Sequence, residues 1–170
     1  MGARKPRWVL CALVVLLIPD ALWASPPRRQ DKEPDLLARI QRESNPVKKA
    51  KLEVRLGRVK LFQAIAALDQ GNLTETNRLL GAYIETLNSA WERLKNSGRV
   101  AHKKPSGFKE LDIELREDAR YLEDLRHRIP YVDRGKADQI AGEVDKLRNE
   151  VLRELFPPTP LHKEEKKSKG

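Results

Sequence analysis

Two long stretches of helical periodicity, separated only by Gly71-Asn72, constrain this chain more than any other feature. From about Pro46 to Gln70, the residues Val47, Ala50, Val54, Leu61, Ile65 and Leu68 recur at three- and four-residue steps, the spacing of a helix with one buried stripe. After the turn, Leu80, Ile84, Leu87, Trp91 and Leu94 repeat the pattern. Gly71 suits the left-handed conformation that ends a helix, and Asn72 with Glu75 three residues later resembles a capping box. Gly98 closes the second segment. A two-residue connection forces two such helices to fold back antiparallel and bury their facing stripes together. Within the first, Leu61 to Leu68 (LFQAIAAL) is apolar nearly all round, which predicts a central place among several neighbours.

A second pair follows the basic loop 98–107 (GRVAHKKPSG). Phe108, Leu111, Leu115, Leu122, Leu125 and Ile129 mark one helix as far as Pro130, its stripe interrupted by Asp118. Ile140, Val144, Leu147, Val151 and Leu155 mark the last, which Pro157-Pro158 stop. Ahead of both pairs, Leu36, Leu37 and Ile40 define a short helix from Asp35 that ends at Ser44-Asn45-Pro46, with Pro46 at the first position of the next. No stretch alternates like a strand. The expected fold is all-α: two long antiparallel helical hairpins plus a short N-terminal helix, four-helix-bundle-like over 35–156, with an extended solenoid-like stack as the alternative.

The first 24 residues have the parts of a secretory signal peptide. Arg4, Lys5 and Arg7 precede an apolar run from Trp8 to Ile18, and the segment leaves through small residues to Ala24. The run is shorter than the roughly 20 residues needed to span a bilayer, so the expectation is export, periplasmic or extracellular, after cleavage near Ala24. An uncleaved N-terminal membrane anchor is the alternative. The residues 25–34 (SPPRRQDKEP) contain no apolar side chain that could order them and are expected to be a linker, as 157–170 are expected to be a disordered tail. Cys11, the one cysteine, lies in the apolar run, so the exported chain can form no disulfide. The full chain carries a formal +9, and removing the signal still leaves +7, so the basicity belongs to the exported part.

Chemistry-bearing patterns are sparse. His102, His127 and His162 fall in a loop, a helix and a tail. Asp124 and His127 have the spacing that carboxylate-bridged metal sites use once per helix, but the second such pair is missing; no metal and no cofactor are expected. Glu110, Glu114, Glu117 and Asp118 cluster on the fourth helix, interleaved with Arg116, Arg120 and Arg126, and Asp112 precedes Arg116 by the i, i+4 step of a self-compensating solvated face. A catalytic reading needs Glu114, Asp118 and His127 to converge in a pocket. Asp118, on an apolar stripe, needs a partner if buried.

Lys48, Lys51, Arg55 and Arg58 place four cations on one face of the helix from Pro46, with Lys49 and Lys60 broadening it. Such a stripe suits anion binding on a phosphate- or carboxylate-bearing surface; alternatively its long stems cover Leu52, Leu56 and Val59 while the heads reach water. Tyr83, Trp91, Phe108 and Tyr121 lie on or near apolar stripes and read as core rather than as base-stacking platforms, so nucleic acid is an unlikely partner. Asn72-Leu73-Thr74 matches a glycosylation sequon whose asparagine already serves as a cap.

The Gln70-Gly71-Asn72 turn resembles the inter-helix turn of tetratricopeptide repeats, helical adaptors that bind peptides and partner proteins. The resemblance is confined to the turn: Thr76 stands where the repeat has alanine, the helices are about twice as long, and no second copy follows. These features together predict a non-enzymatic exported protein that binds a protein partner or an anionic envelope component. An enzyme with a carboxylate site on the fourth helix, a self-associating homo-oligomeric bundle and a tetratricopeptide-like adaptor are the alternatives.

Overall fold

The computed structural model describes residues 32–158; residues 1–24, expected to be a signal peptide, most of 25–34, expected to be a linker, and the tail beyond Pro158 lie outside them. Five α-helices make up the described chain: α1 (Glu33–Arg42), α2 (Pro46–Asp69), α3 (Leu73–Lys95), α4 (Phe108–Arg128) and α5 (Gly135–Leu155), with a 3-10 turn at Tyr131–Asp133 between the last two. None of these helices is long and apolar enough to cross a membrane. The all-α architecture is the one the periodicity predicts.

Local chemistry explains most boundaries. The Asn45 side chain accepts hydrogen bonds from the backbone N–H groups of Val47 and Lys48 (both 3.1 Å), and Pro46 occupies the first turn of α2. Gly71 takes φ +73, which a side chain would resist. Asn72 caps α3 through the Glu75 N–H (3.0 Å), but Glu75 turns to Arg78 instead of returning to the cap, so only half of the expected capping box forms. Thr76, at the position where a tetratricopeptide turn has alanine, is fully buried and donates its hydroxyl to the Asn72 carbonyl (2.9 Å). The linker reading needs correction at its end: α1 begins at Glu33, two residues early, because Pro34 fits a helix start and the Glu33 carboxylate is held by Lys60 and Gln63 of α2.

The hairpins α2/α3 and α4/α5 both form, and they stack side by side in the same sense. Thus α2 runs parallel to α4 and α3 parallel to α5, with α3 and α4 meeting across the shorter diagonal. One offset relates the parallel neighbours. The pairs Arg58–Glu117, Asp69–Arg128 and Trp91–Glu150 are each separated by 59 residues, as are Lys51–Glu110 and Phe62–Tyr121. The four helices close on one core that includes Leu61, Leu80, Tyr83, Leu87, Leu94, Leu111, Leu115, Leu122, Ile140 and Val151, all essentially without solvent exposure. Burying a leucine of this kind contributes roughly 2 kcal/mol, so the stripes, not the helix propensities, hold the bundle together.

Short α1 folds back along α2 on the outside, where Leu36 packs with Leu52 and Leu56 in a separate small cluster flanked by Ile40 and Val59. Helix α2 thus touches α1, α3 and α4. Its LFQAIAAL segment is not covered all round, since Phe62 remains 42% exposed. Tyr121, expected in the core, also lies at the surface: it meets Phe62 edge to face at 5.0 Å on the outside of the α2–α4 contact. Tyr83, Trp91 and Phe108 are buried.

Candidate functional site

The basic face of α2 and the acidic face of α4 meet each other. Lys51 Nζ lies 2.5 Å from Glu110 Oε1 and donates to Ser106 Oγ at 2.9 Å. Two turns on, Arg58 bridges Glu114 (3.0 Å) and Glu117 (2.8 Å), and its guanidinium stands 5.7 Å from the Phe62 ring centre, a cation–π distance. Lys60 turns the other way, to Glu33 of α1. The four-cation face is thus divided: Lys51 and Arg58 join helices, Arg55 is exposed but not without a partner, and Lys48 is exposed. Side-chain stems do not cover Leu52, Leu56 and Val59; α1 does. Helix α4 compensates only part of its own charge: Arg126 pairs with Glu123 (2.6 Å), but Asp112 pairs with Arg148 of α5 (3.2 Å) and not with Arg116.

Asp118 lies behind the Arg58 bridge with no exposed surface. Tyr83 of α3 donates its hydroxyl to Asp118 Oδ2 at 3.1 Å, while Oδ1 has no hydrogen-bond partner. Burial, and then the neighbouring negative charge of Glu114, push the Asp118 carboxyl up to about 7, against the opposing pull of Arg58 and the Tyr83 hydroxyl. The same burial, with the Asp118 charge, raises the Tyr83 hydroxyl well above its ordinary range. A neutral, protonated Asp118 is the form this apolar setting favours below that value.

A perturbed carboxyl points to chemistry only when a reactant can reach it. Asp118 is closed to solvent, and neither the depression bordered by Ser89 and Arg93 nor the one bordered by Lys60 and Arg78 reaches it. His127 does not join it either: nine residues further along α4, it is exposed and pairs with Glu123 (3.0 Å). Glu114 is near Asp118 but committed to Arg58. Among the described residues no group of three or more histidine, cysteine or carboxylate side chains is placed to hold a metal ion.

Sequence patterns missed two features. Glu53, buried in mid-α2, is gripped by Nε and Nη2 of Arg93 (2.8–3.1 Å), with Ser89 beside it; a lone acid between apolar residues was its one sign. The other is where the unspent charge lies. At the end of the bundle carrying the Gly71 turn, Arg128 pairs with Asp69, Arg126 with Asp138 and Glu123, and Arg78 with Glu75, while Arg134 and Lys136 reach only the Ile129 carbonyl and Gln139. At the opposite end, the segment 96–109 contains Arg99, Lys103, Lys104 and Lys109 and no acidic residue. Among the described residues none of these four forms an ion pair, and neither does Lys48.

A helical bundle with internally paired polar groups and one cationic end is the class of protein this arrangement defines. Comparison with protein-family models, curated proteins and solved structures finds no match for the chain.

Proposed function

We propose that this chain is a non-enzymatic, exported helical protein that acts by binding a protein partner or an anionic surface of the cell envelope. The observation that carries this reading is the distribution of polar groups. Among the described residues, the carboxyl with the most strongly altered acidity, Asp118, is sealed behind Arg58 and Tyr83, while the charge left over for an outside partner sits at the surface. Of the four-cation face, Lys48 is the member that this reading keeps for a partner, since Lys51 and Arg58 already serve α4. The amino-terminal pattern of basic start, apolar run and small-residue exit supports export.

Two measurements test it. Cell fractionation with amino-terminal sequencing should find the protein outside the cytoplasm beginning near Ser25; a full-length cytosolic chain ends the export reading. Affinity capture at graded ionic strength should retain a partner or an envelope fraction, with retention on an anionic surface weakening steeply as salt rises. No retained material under any condition removes the binding reading.

A further inference from the structure

We propose that the loop end of the bundle, formed by Lys48, Lys103, Lys104 and Lys109 around Val100, is a docking surface for an anionic phospholipid membrane. The inference rests on the reading of this chain as a binding protein and names the partner's chemistry. Its first support is that most carboxylates of this end, Glu154 excepted, already accept hydrogen bonds or ion pairs within the bundle. Glu110 takes Lys51 and accepts from the Gly107 N–H (2.6 Å), Glu92 takes Lys95 (2.6 Å), Glu150 accepts from the Trp91 indole (3.0 Å), and Glu43 accepts from the Asn45 N–H (2.9 Å). The lysines are left without an internal counter-charge and face water.

Rigidity is the second support. Gly107, at φ +99, packs so tightly that an added Cβ would stand 2.6 Å from Leu94 and 3.0 Å from Val47, and the N–H groups of Lys103 and Lys104 both bond the Val100 carbonyl. The loop and the first turn of α2 therefore present one fixed set of charges, with Lys48 one turn before the Lys51 that bonds Ser106. Shape and chemistry select the occupant. Val100 is 49% exposed among the lysines, which suits a surface with apolar material beneath its charge. Of the aromatics at this end, Trp91 and Phe108 are turned inward against each other, whereas Phe156, at the end of α5, is 73% exposed and adds a second apolar side chain suited to the boundary of a lipid surface. Helix α5 also ends here, and the chain continues with Lys163, Glu164, Glu165, Lys166, Lys167 and Lys169, a segment with two net positive charges.

The test is flotation of the full-length protein with phosphatidylcholine vesicles, with and without phosphatidylglycerol, so that the apolar run at Trp8–Ile18 contributes equally to every arm. Binding should require phosphatidylglycerol and fall steeply with salt. Each lysine near such a surface is worth about fivefold in binding, so the combined K103Q, K104Q and K109Q variant should lose about a hundredfold. A control losing the same charge elsewhere, at Arg116, Arg120 and Lys146, should change little. Equal losses in both variants, or equal binding to neutral vesicles, would overturn the assignment. Failure to float alongside capture of duplex DNA or of a protein would also overturn it, while leaving the reading as a binding protein standing.

Discussion

The seam between α2 and α4 and the seam between α3 and α5 join the same two hairpins at the same 59-residue offset, yet they are built from different materials. The first has an outer ladder of ion pairs, Lys51–Glu110, Arg58–Glu114/Glu117 and Asp69–Arg128, interrupted by the exposed Phe62–Tyr121 contact. Behind the ladder lies the buried Asp118. The second presents Leu80, Ile84, Leu87 and Trp91 from α3 and Ile140, Val144, Leu147 and Val151 from α5, all in the common core, and one neutral donor, the Trp91 indole, reaches Glu150. Exposed ion pairs each contribute at most about 1 kcal/mol, whereas buried aliphatic and aromatic side chains contribute several-fold more. The α3–α5 seam thus supplies stability, and the α2–α4 seam supplies register, because unlike charges meet only when the offset is right.

The largest effect should come from the dry seam. Trp91→Ala removes the ring packed at 6.0 Å against Phe108 and strips Glu150 of its donor, and denaturant unfolding should show a loss of roughly 3–5 kcal/mol. A loss below about 1 kcal/mol would place the stabilising contacts elsewhere.

Asp118 makes the polar seam sensitive to pH. Its carboxyl is raised to about 7 in the folded chain from an ordinary 3.8, so the folded state holds the proton more tightly than the unfolded one. The resulting stabilisation is fully present below about pH 4 and disappears as pH rises through about 7. Asp118→Asn keeps an acceptor for Tyr83 and cannot ionise, so the difference in unfolding free energy between the variant and the parent should grow by a few kcal/mol, in order of magnitude, between pH 4 and 8. Taking the difference cancels the carboxylates held below their ordinary range, such as Glu33 beside Lys60 and Gln63. A constant difference across that range would mean that Asp118 titrates normally.

Between the seams, Gly107→Ala should cost about 2 kcal/mol or more, from φ +99 and the collision with Leu94. Thermal unfolding would register it. Gly142→Ala, in open space on α5, should by contrast be neutral or stabilising. The smallest effect belongs to the ladder: Lys51→Ala should shift stability by about 0.5 kcal/mol, and less in high salt. A larger, salt-independent loss would show that this seam carries stability as well as register.

Helix number, the Gly71 turn, the Asn45 and Asn72 caps and the buried stripes were legible in the sequence because each depends on residues within a turn or two of one another. The oddity of Asp118 was legible too, since a carboxylate on an apolar stripe contradicts its neighbours. The partner of that carboxylate was not: Tyr83 lies 35 residues away, on a stripe that already explains it as core. For the same reason Tyr121 read as core, because its spacing on α4 does not say that the helix turns this edge outward.

From its own chain, this protein specifies helices, stops and apolar faces, since backbone hydrogen bonding and capping act locally and burial follows a fixed period. Tertiary structure alone decided that the hairpins stack in the same sense, that the cations of α2 meet the carboxylates of α4, and that α1 rather than lysine stems covers Leu52 and Leu56. Contacts between residues 59 apart leave no periodic mark in a single sequence. Which charges are spent inside the bundle, and which remain for an outside partner, is settled only when the helices meet.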